Sequence, residues 1–328
     1  MIKIFVLYDN KVTDITNVVK SISNTGDKAQ AARKLDVTFT YPIWDRNQPR
    51  TQIRPGSKVW VVLDGKEIFR GVTWNREIDS ASESLPFMAY DYLIYLTKSK
   101  VTFNFVDITP EDATRKICEE LGVEVGDLAG TGIKVKRLIA QKTGYEAIME
   151  MYTQASKQNG KQYIPVMDGT KLCVIEKGKV IANYTLISQI DDPTNNMIGT
   201  NYRDTLDGMV NKVKIYDDKN NYVGEVGNDS WRNEYGLIQE NYVKEADKDS
   251  NVVATGMLSD IQQDVTIQAL GNWECRTGYA VNTKIFYISN LQNAVMYVDG
   301  DTHTWEPATG KYTMSLNLSY KNQMDSKG

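Results

Sequence analysis

At 328 residues the chain is long enough for two or three domains, each with a core of its own. Hydrophobic residues make up 41% and charged residues 24%, the balance of an ordinary globular protein. A formal net charge of −4, with no long Lys/Arg run, excludes a binder that works by neutralising nucleic-acid phosphates, and no apolar run approaches membrane-spanning length.

Residues 1–8 (MIKIFVLY) read as a strand, too short and wrongly flanked for a signal peptide. Asp9-Asn10 makes a turn into residues 12–15, and residues 18–23 lead to Gly26-Asp27, where Asp27 is placed to cap one helical turn through residues 28–32. Leu35, Val37, Phe39 and Tyr41 alternate with polar residues, the period of a strand with one buried face. Residues 42–55 form a loop rich in Pro, Arg, Asn and Gln, long enough to serve a partner. Residues 55–92 organise the N-terminal part: a run at 58–63, the turn pair Asp64-Gly65, a return at 66–71, a further run at 72–78 and a closing strand at 86–92. A fainter copy lies near the C-terminus, where residues 276–281 echo 54–59, residues 295–298 echo 72–75 and residues 312–318 echo the closing strand.

From residue 101 helices enter. Thr109-Pro110-Glu111-Asp112 combines an N-cap, a first-turn proline and first-turn acids, with Ala113, Ile117, Cys118 and Leu121 on one stripe and Gly122 as the stop. Thr143 and Glu146 have capping-box spacing before Ile148, Met149, Tyr152 and Ala155, and Asn159-Gly160 ends that helix. A hairpin follows about Asp168-Gly169. Residues 179–196 read as connection, 209–216 and 222–226 as a hairpin, and the stretch from Ser250 as a helix ending near Gln263. Val265, Ile267 and Ala269 alternate as a strand, and residues 322–328 read as a frayed tail. The expectation is a mainly β chain in three parts: an N-terminal β-barrel at 1–100, an inserted α+β domain at 101–178, and a C-terminal β domain at 179–328 with a second barrel-like unit and one helix.

No catalytic, cofactor or metal residues are assigned. There is no phosphate loop or dinucleotide fingerprint. Cys118, Cys173 and Cys275 are scattered without a CxxC pair, as in a reducing compartment, which places synthesis in a cytoplasm. A zinc site would need mostly carboxylates beside the single histidine, His303. No GxSxG elbow supports a triad on it, and it reads as a solvated hairpin-loop residue whose replacement by Ala changes stability by about half a kcal/mol or less. The acidic pairs Glu119-Glu120 and Asp217-Asp218 read as a solvated helix face and a turn.

GDKAQAARKL at residues 26–35 resembles the GDKxQAAR segment of XkdQ-like baseplate hub proteins of contractile phage tails. Val210-Asn211-Lys212-Val213, YGLIQ at 235–239 and the stretch from Ala269-Leu270-Gly271 through RTGYAV at 276–281 are similar to later segments of that family. Its relatives include late-control protein D and the base of type VI secretion spikes. The resemblance implies a non-enzymatic homotrimer with two tube-like antiparallel barrels per chain, presenting six near-equivalent barrels to a hexameric tail tube and a three-fold end to a spike or central needle. It implies baseplate wedge and tape measure proteins as further partners, a place in the tail baseplate of a virion or tail-like bacteriocin, no membrane partner, and passage of DNA without specific binding; the net charge of −4 and the absence of basic runs lead to the expectation that the lumen of such a ring is polar and neutral to acidic. Two other classes remain open. Residues 101–136 have the strand-helix-short helix-strand order of a peptidoglycan-binding LysM module, lacking the Asn expected after Leu128, and a tail-associated hydrolase is the other.

Overall fold

The alternation at residues 35–41 appears as a buried face. Leu35, Val37 and Phe39 are at most 1% exposed in the strand Gln30–Thr40, and Tyr41 packs against the same cluster. The computed structural model describes residues 1–45, 47, 51–245 and 249–328, so Arg46, Gln48, Pro49 and Arg50 of the expected partner loop, and residues 246–248 before Ser250, lie outside the described residues. The fold is mainly β, with its two longest helices, Pro110–Glu120 and Gly144–Asn159, in the middle third. Contacts group the chain into one unit of residues 1–200 with 266–328 and another of residues 201–265.

In the first unit a long sheet carries, in hydrogen-bonded order, Lys311–Ser319, Ala294–Glu306, Val19–Asp27, Gln30–Thr40, Ser84–Asp91, Lys66–Arg76, Lys58–Leu63, Ile2–Tyr8 and Lys11–Asp14. Ala294–Glu306 lies antiparallel to Val19–Asp27, from Gly300 opposite Asp27 to Trp305 opposite Ile22, so the first and last thirds of the chain share one sheet. The path has free ends: no closed barrel forms among the described residues. Ile4, Val6, Val59, Val61 and Leu85 pack with Trp305 in one core beneath it.

Asp64 and Gly65 have φ of 50° and 84° and join Leu63 to Lys66, the two positive angles of a type I′ turn. A Cβ on Gly65 would meet nothing within 4 Å, so any cost of adding a side chain there is backbone strain. Gly65→Val is expected to destabilise the chain by about 1–3 kcal/mol, read from the urea midpoint; an unchanged midpoint would contradict this turn type.

The echo between the two ends has a structural counterpart. Ser57 N–H donates to Arg54 O at 2.9 Å and Gly56 N–H to Thr73 O at 2.8 Å; Tyr279 N–H donates to Arg276 O at 3.1 Å and Gly278 N–H to Val298 O at 3.1 Å. Both glycines have positive φ, 91° and 99°. The hydrogen bonds match Thr73 with Val298, two residues out of step with the match of letters, which pairs Thr73 with Met296.

In the middle third the caps form as read. Thr109 accepts the Asp112 N–H, Thr143 and Glu146 close a capping box, and Gly160 ends the second helix in the left-handed region. Ile117, Ile148, Tyr152 and Tyr163 are buried in one cluster.

Several expectations need correction. The expected turn of helix at 28–32 is a hairpin: the Asp27 carboxylate accepts Ala29 N–H at 2.8 Å, a local turn that competes with helix capping, and Gln30 already begins the next strand. Residues 66–76 are one bulged strand rather than two runs. Glu124–Leu128, within the stretch 122–128 read as a LysM-like turn, is a strand parallel to Lys171–Glu176. Lys179–Ser188, expected as connection, is a strand parallel to Tyr279–Ile285, a pairing across about a hundred residues that no local pattern announces. The tail is docked: Met324 is buried, its N–H donates to Gln162 Oε1 at 2.9 Å, and the Tyr145 hydroxyl donates to Asp325 at 2.8 Å.

In the second unit Lys212–Tyr216 pairs antiparallel with Tyr222–Gly227 and parallel with Gln239–Val243. The hairpin agrees with the sequence pattern; the helix Asp229–Tyr235, capped by Asn228, is an addition to it. The helix from Ser250 stops at Met257, because Leu258 turns extended and Gln262 starts a strand. Ala254 seats it on Val213, Ile215 and Tyr242.

Candidate functional site

The chemistry-bearing side chains of the first unit gather where the hairpin of Val19–Asp27 and Gln30–Thr40 meets Ala294–Glu306. A register shift between Val298 and Gly300 moves Asp301, His303 and Trp305 onto the buried face. Asp301 is 2% exposed and His303 is fully buried. Arg33 reaches past Val19–Asp27 from Gln30–Thr40, the next strand but one in the sheet: Nη1 donates to Asp301 Oδ1 at 3.0 Å, Nη2 donates to Oδ2, and Nε donates to Asn24 Oδ1 at 2.9 Å. Thr277 adds its N–H and its hydroxyl to Asp301 Oδ1 at 2.6 and 2.7 Å, and His303 Nε2 lies 3.3 Å from Oδ2. Burial works against the charge on Asp301. The Arg33 charge and the hydrogen bonds from His303 and Arg33 outweigh it, holding the carboxyl well below its ordinary range.

His303 is not a loop residue, and the expectation of a solvated ring is overturned. Nε2 faces Cys275 O at 3.0 Å, and Nδ1 faces the Tyr312 hydroxyl at 2.9 Å. A carbonyl oxygen only accepts, so Nε2 carries the hydrogen; in the neutral ring Nδ1 then accepts from Tyr312. Trp273 lies against the ring with centroids 4.9 Å apart. The signal is in the strand itself, where Asp301, His303 and Trp305 alternate with Thr302 and Thr304; polar residues on the buried phase give that strand the look of a loop. His303→Ala therefore strands the buried Cys275 carbonyl and the half-buried Tyr312 hydroxyl and opens a cavity. The expected loss is about 2–3 kcal/mol in urea unfolding, against the half kcal/mol of a surface site.

A second ionic knot lies beside the first. Asp299 accepts from Lys28 Nζ at 2.5 Å and from Lys177 Nζ at 2.7 Å, and Lys177, whose side chain has no exposure, also donates to Gln323 O at 3.0 Å. Burial lowers the Lys177 pKa despite Asp299. Lys28 and Arg33 of the GDKAQAARKL segment thus pin the N-terminal hairpin to Asp299 and Asp301.

These groups serve one another rather than a reacting atom. Asp301 is saturated with donors, and the Cys275 thiol, pushed up to about 12 by burial, is no thiolate at neutral pH. Glu119 and Glu120 sit on an exposed helix face as expected, and Asp217 organises its turn through Asn221 and Lys219. Among the described residues no group of three or more His, Cys, Asp or Glu is placed to hold a metal ion.

The fold has known counterparts, and so does the sequence. Residues 22–319 match the model of the YqbQ-like family. The chain belongs to that family. A relative is the phage-like element PBSX protein XkdQ of Bacillus subtilis strain 168, 26% identical over 349 residues that cover 99% of this chain and 98% of the relative. The 43 kDa tail protein of prophage MuSo2 from Shewanella oneidensis superposes with a TM-score of 0.71 at 15% identity, covering 97% of this chain and 98% of that one. An E. coli type VI secretion component, described as similar in structure to the T4 tail proteins gp27 and gp5, covers 93% of this chain and 74% of its own with a TM-score of 0.54 at 9% identity. These likenesses place this YqbQ-like chain in the fold of phage tail proteins.

Proposed function

We propose that the chain is a non-enzymatic structural protein of a phage tail or tail-like particle, and within it the baseplate hub: a homotrimeric ring that adapts a hexameric tail tube to a three-fold spike. The observation that carries this reading is the duplicated turn. Arg54–Ser57 and Arg276–Tyr279 make the same two hydrogen bonds at the mouths of two three-stranded meanders. Three chains with two similar units each offer six similar positions to a six-fold tube, and the third part of the chain is free to differ. On this reading residues 1–100 and 179–328 supply the tube-like parts and residues 101–178 are an insertion. The tube protein, the spike or needle, the wedge and the tape measure are the partners, and the site of action is the tail baseplate.

An obligate ring of this kind buries roughly 2,000 Å² or more per contact. Light scattering of the purified chain, with imaging for three-fold symmetry, tests it. A trimeric mass and three-fold rings are expected; a monodisperse monomer at high concentration, with no ring in assembled tails, would sink it. A polar lumen that lets DNA pass predicts no tight, steeply salt-dependent DNA binding.

A further inference from the structure

The docked segment 322–327 belongs to no helix or strand. Met324 is its one buried residue, seated in the cluster that also holds Ile148, Tyr152 and Tyr163. The groove holds the backbone as well as the side chains. Gln162 Oε1 accepts the Met324 N–H at 2.9 Å, Thr153 Oγ1 accepts the Lys327 N–H at 3.1 Å, and Lys177 Nζ donates to Gln323 O at 3.0 Å. Two further side chains of the segment are held directly. Asn322 Nδ2 donates to Lys177 O at 2.9 Å, and Asp325 accepts from the Tyr145 hydroxyl at 2.8 Å. Main-chain hydrogen bonds that fix an extended course, with a pocket for one side chain, are the elements by which grooves recognise peptides.

The receiving groups are oriented by contacts that do not involve the segment. Gln162 Nε2 donates to Ser156 Oγ at 3.2 Å, the Thr153 hydroxyl donates to Met149 O at 2.7 Å, and Lys177 Nζ is held by Asp299 at 2.7 Å. A groove whose donors and acceptors are positioned from behind has little ordering left to do when a ligand enters. The segment that fills it is an imperfect occupant. Asn322 Oδ1 is buried without a hydrogen-bond partner, a cost that is relieved when the segment leaves.

We propose that this groove is a peptide-binding site filled in cis by residues 322–327, which detach while the core stays folded. Its ligand in trans is an extended segment of a partner protein, with an unbranched apolar side chain of methionine size in the place of Met324. The inference goes beyond the hub reading and does not depend on it. A tethered segment acts at an effective concentration on the order of mM. A free peptide therefore enters only when the cis segment is weakened, whereas a partner already held elsewhere on the chain competes on similar terms.

Two measurements on the full chain test this. In the parent, hydrogen exchange of the Met324 and Lys327 amides is compared with that of Tyr152 and Ala155 inside the helix Gly144–Asn159. The two segment amides are expected to exchange at least tenfold more slowly than in an unstructured peptide, and at least a hundredfold faster than the helical ones, the pattern of a local opening. Exchange at the peptide rate means that nothing is bound, and exchange in step with the helix makes the segment part of the core; either overturns the proposal. Met324→Glu then weakens the cis segment, because docking would bury a charge. Fluorescently labelled acetyl-Lys-Asn-Gln-Met-Asp-Ser-Lys-amide, the sequence of residues 321–327, is titrated into parent and variant and followed by anisotropy. Saturable binding to the variant, at least tenfold tighter than to the parent and at least tenfold tighter than that of the peptide with Gly for Met, supports the groove. No binding to the variant, equal binding to the two chains, or indifference to the Met overturns it. A variant that does not fold, read by circular dichroism, overturns it too, since the core then requires the segment.

Discussion

Arg33→Met is expected to destabilise the chain by about 3–5 kcal/mol, the cost of removing one partner from a buried ion pair. The asymmetry of the pair sets the size: the Asp301 side chain has no exposure while that of Arg33 retains 20%, so the acid is the group with no route to water. Without Arg33 the carboxylate keeps Thr277 and the edge of His303, and Asn24 loses the donor on its Oδ1. A double variant, Arg33→Met with Asp301→Leu, removes the stranded charge and is expected to recover at least half of the loss. Urea unfolding of the parent, the single and the double variant reads both effects. A single variant as stable as the parent would show that the ion pair adds no net stability.

Much of the chain's local grammar is legible in the sequence because it depends on near neighbours. Thr109, Thr143 and Gly160 act within four residues of themselves, and Asp64-Gly65 needs only its own φ angles. The family segment at 26–35 is legible as letters, yet its physical role is not. Lys28 and Arg33 act on Asp299 and Asp301, some 270 residues away, and only the sheet brings them together. His303 is hidden for a related reason. A polar residue on the buried phase of a strand is costly unless partners wait for it, and those partners, Cys275 O and the Tyr312 hydroxyl, come from other segments. Lys179–Ser188 escapes for a related reason, since a parallel pairing leaves no turn in the sequence to announce it.

The pH effect nearest neutrality is expected from Asp91, the last residue of the strand Ser84–Asp91 and 3% exposed. Burial pushes its carboxyl up to about 7, against the opposing hydrogen bonds from the Arg33 and Leu93 N–H groups at 3.2 and 3.1 Å and the Arg33 charge. In the unfolded chain the group titrates near its ordinary value of about 3.9. The native state therefore binds the proton more tightly than the unfolded state. The stability contributed by this linkage is fully present below about pH 4 and is lost as the pH rises towards 7. At about 1.4 kcal/mol for each tenfold change in proton affinity, the difference between the two states is worth about 4 kcal/mol across that window, after which the curve is flat. Asp301 has the opposite sign: its carboxyl is depressed, so its contribution is present above about pH 4 and is lost in stronger acid. Together they place the optimum for these two groups near pH 4–5, with a decline towards neutrality. Asp91→Asn keeps one acceptor for the backbone N–H groups and removes the titration. The variant is expected to be less stable than the parent by about 1 kcal/mol at pH 5, for the hydrogen bond it loses, and more stable at pH 8, where the parent holds a buried, ionised carboxylate. Urea midpoints at the two pH values decide the matter. If the parent's midpoint does not fall between pH 5 and pH 8, or if the variant falls with it, the decline does not originate at Asp91.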